Sequence, residues 1–267
     1  MPTLLKAAVL GVVQGLTEFL PVSSTAHLLI GSRLIGYDDP GGVFVVMIQL
    51  GSIVAVMWLY RQKIVAVVTG LPSRPEARRF AAMIMLATVP ALVAGGLFSN
   101  FVRSVLYESF TVIALAFIVG GIIILVVERV RPQPDVFDVD SLPVGRAFAI
   151  GSFQALALVP GVSRSGGTIV AAMAMRVDRA AAAEFTFFLA MPTMAAAFAK
   201  SLFDVRHNLG SARASEIAVG FVMAFVSSAL VVKPFLNHVR RHGFAPFAWY
   251  RIVVGAALLA ARVLWRA

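Results

Sequence analysis

Six stretches of this chain are long and apolar enough to cross a bilayer, and they constrain its fold more than any motif does. They run over residues 43–60, 80–98, 110–127, 184–200, 215–236 and 248–264, with no Asp or Glu except near their ends. About 20 apolar residues span the hydrocarbon core as a helix, and a helix satisfies its own backbone N–H and C=O groups where no water can. Composition agrees: 60% hydrophobic against 13% charged residues leaves too little polar surface to cover a water-facing globule. The expected class is therefore an all-α integral membrane protein, a single membrane domain over 1–267. The absence of cysteine excludes disulfides, thiolate catalysis and cysteine-ligated metal centres. A formal charge of +10 reads as basic loops beside anionic headgroups, with no nucleic-acid partner.

Two more apolar stretches, 3–36 and 145–176, are interrupted in the middle. The first is broken by Pro21-Val22-Ser23-Ser24-Thr25 and the second by Pro160-Gly161-Val162-Ser163-Arg164-Ser165-Gly166-Gly167. With an offset of 140 residues they match at Gly11/Gly151, Gln14/Gln154, Leu16/Leu156, Val22/Val162 and Ser23/Ser163. Each broken stretch is followed by three clean ones. This reads as two repeats, about 1–130 and about 145–267, giving six transmembrane helices plus two re-entrant broken-helix segments. Three spans per repeat is an odd number, so the second repeat is expected to be inverted relative to the first.

Charge placement tests the topology. The 61–79, 128–146 and 233–242 loops carry Arg61, Lys63, Arg74, Arg78, Arg79, Arg129, Arg131, Arg146, Lys233, Arg240 and Arg241. Alternate loops are thus the basic ones, which places them in the cytoplasm and both termini outside. Arg206, Arg213, Arg262 and Arg266 lie against this bias on the other side. Lys6 and the apolar run behind it also resemble a signal peptide, but Glu18 and Pro21 fall where the cleavage region would be, so the segment is expected to be retained.

Half-helices meeting inside a membrane present backbone N–H groups and positive dipole ends to an anion. Ser23, Ser24 and Thr25 after Pro21 read as one such helix start, and Ser163, Arg164, Ser165 and Gly166 as the other, with an arginine fork suited to phosphate. Glu18 is the one carboxylate well inside an apolar stretch, which makes it a functional candidate by default. Gln14, four residues earlier, shares its helix face, and His27 follows beyond the break. A carboxylate and an amide oxygen for a divalent cation, a hydroxyl, an imidazole and an arginine are the parts of a phosphoryl-transfer site. The plainer alternatives are a structural Glu18–Arg164 ion pair, Gln14 and Gln154 as polar contacts between helices, and Ser23 and Ser163 as helix caps.

The combination Q-x-x-x-E-x-x-P-x-S-S-x-x-H with a distant P-G-x-S-R-S-G resembles the undecaprenyl diphosphate phosphatase family, bacterial inner-membrane enzymes of the bacitracin-resistance type. The resemblance lies in GVVQGLTEFLPVSSTAH (Gly11 to His27) and PGVSRSGGT (Pro160 to Thr168), with support from QLGSIVA (Gln49 to Ala55) and EFTFFLAMP (Glu184 to Pro192). It implies removal of the terminal phosphate from a polyprenyl diphosphate carrier to recycle the carrier for cell-wall synthesis, and the topology with both termini outside puts the reaction at the periplasmic face. By the same resemblance Glu18 is the key carboxylate, Ser24 the nucleophile or a substrate ligand, His27 the proton-transfer partner and Arg164 the diphosphate clamp. Ser23, Thr25, Gln154, Ser163, Ser165 and Gly166 are expected to bind substrate, and Glu18 with Gln14 to hold Mg2+ or Ca2+. Gln14 is the Gln form of a position that is Glu or Gln in the family. Water and His27 remain alternative nucleophiles. The expected partners are the lipid substrate, membrane lipids and, as an open expectation, a second copy of the chain. Broken helices in inverted repeats also suit a polyprenyl-phosphate transporter or flippase using the same anion pocket.

Overall fold

A computed structural model describes residues 1–39, 42–101, 109–205 and 211–264; Arg206 and Arg266 lie outside them. The helices are α1 (Thr3–Thr17), α2 (Ser24–Ile35), α3 (Val43–Leu59), α4 (Arg61–Gly70), α5 (Pro75–Phe101), α6 (Phe110–Val130), α7 (Val144–Ser152), α8 (Arg164–Ala174), α9 (Arg179–Val205), α10 (Ser211–His242) and α11 (Ala245–Leu264). A six-residue 3-10 turn, Phe153–Leu158, prolongs α7. Among the described residues the only β pairing is an isolated bridge between Val136 and Val177.

Four of the expected spans are continuous helices of spanning length, those of α5, α6, α9 and α10. The 43–60 stretch is instead one arm of a pair, α3 and α4, bent by 75°. The bend falls at Tyr60, where apolar sequence gives way to Arg61 and Lys63, so the chain turns as its hydropathy changes. The last stretch forms α11, a shorter apolar helix over Ala245–Ala261.

Both broken stretches fold as helix–break–helix hairpins. At the open end of the first, Lys6 Nζ donates to Gly36 O at 2.7 Å, so α1 begins where α2 ends. This end lies by the start of α10, where the Tyr37 hydroxyl donates to Glu216 at 2.7 Å. At the open end of the second, Arg146 near the start of α7 pairs with Asp135 at 2.5 Å and reaches Met175 O just beyond α8. The Arg146 guanidinium holds the Asp135 carboxyl below the usual carboxylate range. That end belongs with the basic loops: Lys63 pairs with Asp140 at 2.9 Å, Arg79 donates to Asp140 O and Leu142 O, and Glu128 at the end of α6 pairs with Arg179 and accepts from Phe244 N beyond α10. The hairpins thus enter from the two opposite ends of α10, which is the inverted arrangement.

The helix contacts exchange in the same sense. α1 packs on α10 and α7 packs on α5. The Gly11/Gly151 match in sequence sits at these two crossings: a Cβ on Gly11 would lie 2.3 Å from Gly220 O, and one on Gly151 would lie 2.0 Å from Ala87 O. Backbone is the obstacle in each case, so the helices must part to admit a side chain. Close approach of small residues is how membrane helices gain packing where burial from water contributes little. Gly151→Leu is expected to lower the midpoint of thermal unfolding in detergent by several degrees, with a cost of about 1–3 kcal/mol for overpacking, and a midpoint equal to that of the unsubstituted protein would contradict this packing.

Candidate functional site

The tips of the two hairpins meet. Both are set by a serine with positive φ, Ser23 at 68° and Ser163 at 56°, each immediately before the second helix of its hairpin. Ser163 caps α8 by accepting from Gly166 N at 3.1 Å, whereas Ser23 precedes α2 without a side-chain cap. The first-turn N–H groups of α2, which no residue within a helix can satisfy, therefore stay available at the tip. Ser165 Oγ donates to Leu20 O at 2.8 Å and ties one tip to the other.

Glu18 closes α1 and is 6% exposed. Three donors converge on its carboxylate. Arg164 Nη2 reaches Oε1 at 2.7 Å, while Gln14 Nε2 at 2.7 Å and Ser24 Oγ at 2.6 Å both donate to Oε2. The Glu18–Arg164 ion pair anticipated as a structural alternative is thus present, and it joins residues 146 positions apart in sequence. It does not exhaust either member. Arg164 Nη1 and Gln14 Oε1 are buried without a partner, and the Ser24 hydroxyl uses the same carboxylate.

Beside this group lies a cavity of about 230 Å³. Its polar lining includes Glu18, Ser24, Thr25, Gln49, Gln154 and Arg164, with Ser23, Ser163, Ser165 and Thr193 completing the rim. Gln154 is 4% exposed; its Oε1 accepts from Thr193 Oγ1 at 3.3 Å, which leaves Nε2 as a buried donor with no partner. Pro90 and Pro192 interrupt the hydrogen bonding of α5 and α9 one residue before the lining residues Ala91 and Thr193.

Three expected site residues lie outside the cavity lining. His27 does not line the cavity: its ring meets Ser23 O through Nδ1 at 2.8 Å and the Tyr250 hydroxyl through Nε2 at 2.7 Å, and it lies near the Phe117 ring. It braces the break from behind. Gly166 N is committed to the Ser163 cap. Gln14, fully buried, meets Glu18 rather than the cavity wall.

The residue that sequence reasoning missed is Arg251, 1% exposed on α11. Its guanidinium donates to Pro21 O at 3.0 Å and Gly161 O at 2.9 Å, one carbonyl from each break, and to Ala116 O and Phe117 O on α6. Gly161 offers that carbonyl from a φ of 95°, in a spot where a Cβ would meet Ile113 O at 2.8 Å. The signal was a base inside the apolar 248–264 stretch, well away from Arg262 near its end, the same kind of signal that singled out Arg164. Gln49 and Thr193 were missed because single uncharged polar residues are common in membrane helices.

Two inverted helical hairpins whose tips bring an Arg–Glu–Ser group to a polar cavity define a multi-pass membrane protein. The chain belongs to the BacA family: the family model described as bacitracin resistance protein BacA matches residues 7–257. Similar proteins include one named undecaprenyl-diphosphatase from Cereibacter sphaeroides, 49% identical over 259 residues and covering 97% of both chains. Undecaprenyl-diphosphatase 1 of Agrobacterium fabrum is 48% identical over the same span, and the undecaprenyl-diphosphatase of Phenylobacterium zucineum is 49% identical over 256 residues.

Proposed function

We propose that this protein hydrolyses undecaprenyl diphosphate to undecaprenyl phosphate and inorganic phosphate, and that it recycles the lipid carrier for peptidoglycan synthesis in the bacterial inner membrane. The observation that carries the reading is the 2.6 Å contact between Ser24 Oγ and Glu18 Oε2 at the start of α2, beside the Arg164 guanidinium. The names of the relatives supply the substrate.

In this reading Arg164 and the α2 tip hold the terminal phosphate, whose negative charge the guanidinium and the helix dipole favour. Ser24 Oγ attacks the terminal phosphorus while its proton passes to Glu18 Oε2. The bond from that phosphorus to the bridging oxygen breaks, and undecaprenyl phosphate leaves with the electron pair. Glu18 releases that proton to the departing phosphate or solvent; water then attacks the phosphoserine phosphorus, its proton passing to Glu18, the bond from phosphorus to Ser24 Oγ breaks, and Glu18 returns the proton to Oγ as inorganic phosphate forms. The geometry favours Glu18 over His27 as the proton acceptor, because His27 faces Tyr250.

A divalent cation belongs to the same proposal. Among the described residues no cluster of three or more acidic or histidine side chains exists, so a complete protein cage is not the design. The Glu18 carboxylate and the unpartnered Gln14 Oε1 are hard oxygen donors, and one carboxylate completed by substrate phosphate and water is the usual manner of holding magnesium. When bound, the ion supplies neutralisation of phosphate charge as a Lewis acid.

The cavity lies toward the end opposite the basic loops. At 1.5 Å per residue Ala91 stands roughly 24 Å along α5 from the basic end and roughly 15 Å from the other. With the basic loops in the cytoplasm, hydrolysis takes place at the periplasmic face. A single cysteine at Thr25 in this cysteine-free chain is expected to react with an impermeant thiol reagent added to intact spheroplasts; reaction only after permeabilisation would reverse the sidedness.

Phosphate release from undecaprenyl diphosphate in detergent, with and without a chelator, tests the activity itself. Release is expected to stop on chelation and return on adding magnesium or calcium, and Ser24→Ala is expected to abolish both turnover and any acid-stable phosphoprotein. The inverted hairpins also suit movement of the lipid across the membrane. Transfer of undecaprenyl phosphate between leaflets of proteoliposomes without hydrolysis would favour that reading instead.

A further inference from the structure

The cavity has two kinds of lining. Besides its polar residues it is lined by Ala91 on α5, Ala157 and Leu158 on the 3-10 turn, and Met194 and Ala197 on α9. A cavity of about 230 Å³ has room for a diphosphate headgroup and is far too small for a polyprenyl chain. The chain must leave through a wall. Ala197 lines the cavity and is also exposed. One helical turn beyond Ala91, Gly95 has nothing within 4 Å of where a side chain would begin. The outward faces beside this gap are apolar: Leu92 and Val93 on α5 are 41% and 54% exposed, and Leu156 on the turn is 53% exposed. On the same 3-10 turn as Ala157 and Leu158, the lining residue Gln154 has an unpartnered Nε2, a buried donor that calls for an anionic or carbonyl oxygen.

We propose that an apolar slot between α5 and α9, floored by Ala91, Gly95 and Ala197, carries the prenyl chain from the headgroup cavity into the bilayer, and that Gln154 Nε2 donates to the phosphate nearest the chain. The proposal rests on the diphosphate reading above. Small side chains serve the slot because each added methylene would occupy space the first isoprene units need, while the walls remain apolar enough to exchange freely with lipid. Thr193 contacts Gln154 from α9, its hydroxyl lying 3.3 Å from the amide and also 2.8 Å from Leu189 O.

The absence of cysteine allows a direct test. The full-length protein carrying Ala197→Cys is alkylated with N-ethylmaleimide in detergent, alone, with undecaprenyl diphosphate and with inorganic diphosphate. Ala199→Cys, exposed on α9 outside the cavity lining, is the control. Undecaprenyl diphosphate is expected to slow alkylation at position 197 about tenfold, which corresponds to about 1.4 kcal/mol, and to leave position 199 unchanged; inorganic diphosphate is expected to leave both unchanged. Equal rates at 197 with and without the lipid, or equal protection at 199, would overturn the slot. Phosphate release measured on the same samples separates the two ideas: protection without release sinks the hydrolase reading alone, and release without protection sinks the slot alone. Ala197→Phe is expected to raise KM for undecaprenyl diphosphate about tenfold while changing that for geranyl diphosphate by less than about twofold; an equal loss on both substrates would place Ala197 in general packing instead.

Discussion

Glu18→Gln is expected to reduce phosphate release from undecaprenyl diphosphate by at least about a hundredfold and up to about ten-thousandfold, the range associated with a positioned general base. Shape is preserved, but the hydrogen-bond arithmetic is not. Gln14 Nε2, Ser24 Oγ and Arg164 Nη2 all donate to this carboxylate. An amide keeps one acceptor oxygen and brings two more N–H groups, so one side of the site becomes donor against donor. Arg164, 15% exposed at its side chain, also loses its only carboxylate. The proton from Ser24 then has nowhere to go at neutral pH. Glu18→Asp keeps the charge and draws it back by one methylene, so it is expected to retain more activity than Glu18→Gln. A Glu18→Gln variant with a rate near that of the unsubstituted protein, measured by phosphate release at saturating substrate, would remove Glu18 from the chemistry and leave the ion pair as architecture.

The second large effect is expected at Arg251. Arg251→Met removes a guanidinium that satisfies Pro21 O, Gly161 O, Ala116 O and Phe117 O. Each buried acceptor left without a donor costs about 1–3 kcal/mol, and water cannot readily replace the donor in a site this closed. Methionine restores part of the volume but none of the bonds. The apparent unfolding midpoint in detergent is expected to fall by well over about 5 °C, and turnover to fall with it, because the carbonyls released belong to the two breaks that place Glu18 and Arg164. Arg251→Lys keeps a charge with three donors on one nitrogen and cannot span four carbonyls on three segments; it is expected to recover part of the stability and little of the activity. An unfolding midpoint for Arg251→Met within about a degree of the unsubstituted protein would show that the breaks hold themselves.

The two arginines mark the reach of sequence reading. Arg164 was legible because it interrupts a glycine- and serine-rich break, where a charge stands out. Arg251 carries the same unusual status inside an apolar stretch, yet a search for buried acids alone passes over it. The spacing of Ser24 and His27 placed both near Glu18, but three residues leave their directions about 60° apart around the helix axis, and one side chain meets Glu18 while the other meets Tyr250. The bend at Tyr60 was hidden because Ile64 to Val68 remain apolar beyond it, so only the change of direction distinguishes α4 from α3.

The repeat was legible, and the structure gives its physical content. The offset of 140 that matches Gly11 with Gly151 places both at helix crossings too tight for a side chain. The same offset pairs Glu18 with Leu158 and Ser24 with Arg164. The two tips each turn on a positive-φ serine and divide the polar groups, one bringing the carboxylate and hydroxyl and the other the guanidinium.

Hydropathy, the two proline and serine breaks and the scarcity of charge determined, from sequence alone, that the chain crosses a membrane and that its polar business lies at two interrupted hairpins. Those properties are local: a run of apolar residues seeks lipid, and a proline or a string of serines breaks a helix, whatever lies elsewhere in the chain. Only the tertiary structure decided which donor meets which acceptor. A bond between positions 18 and 164, or between 251 and carbonyls 21 and 161, depends on how helices far apart in sequence pack, and a few ångströms of packing separate a paired carboxylate from an isolated one.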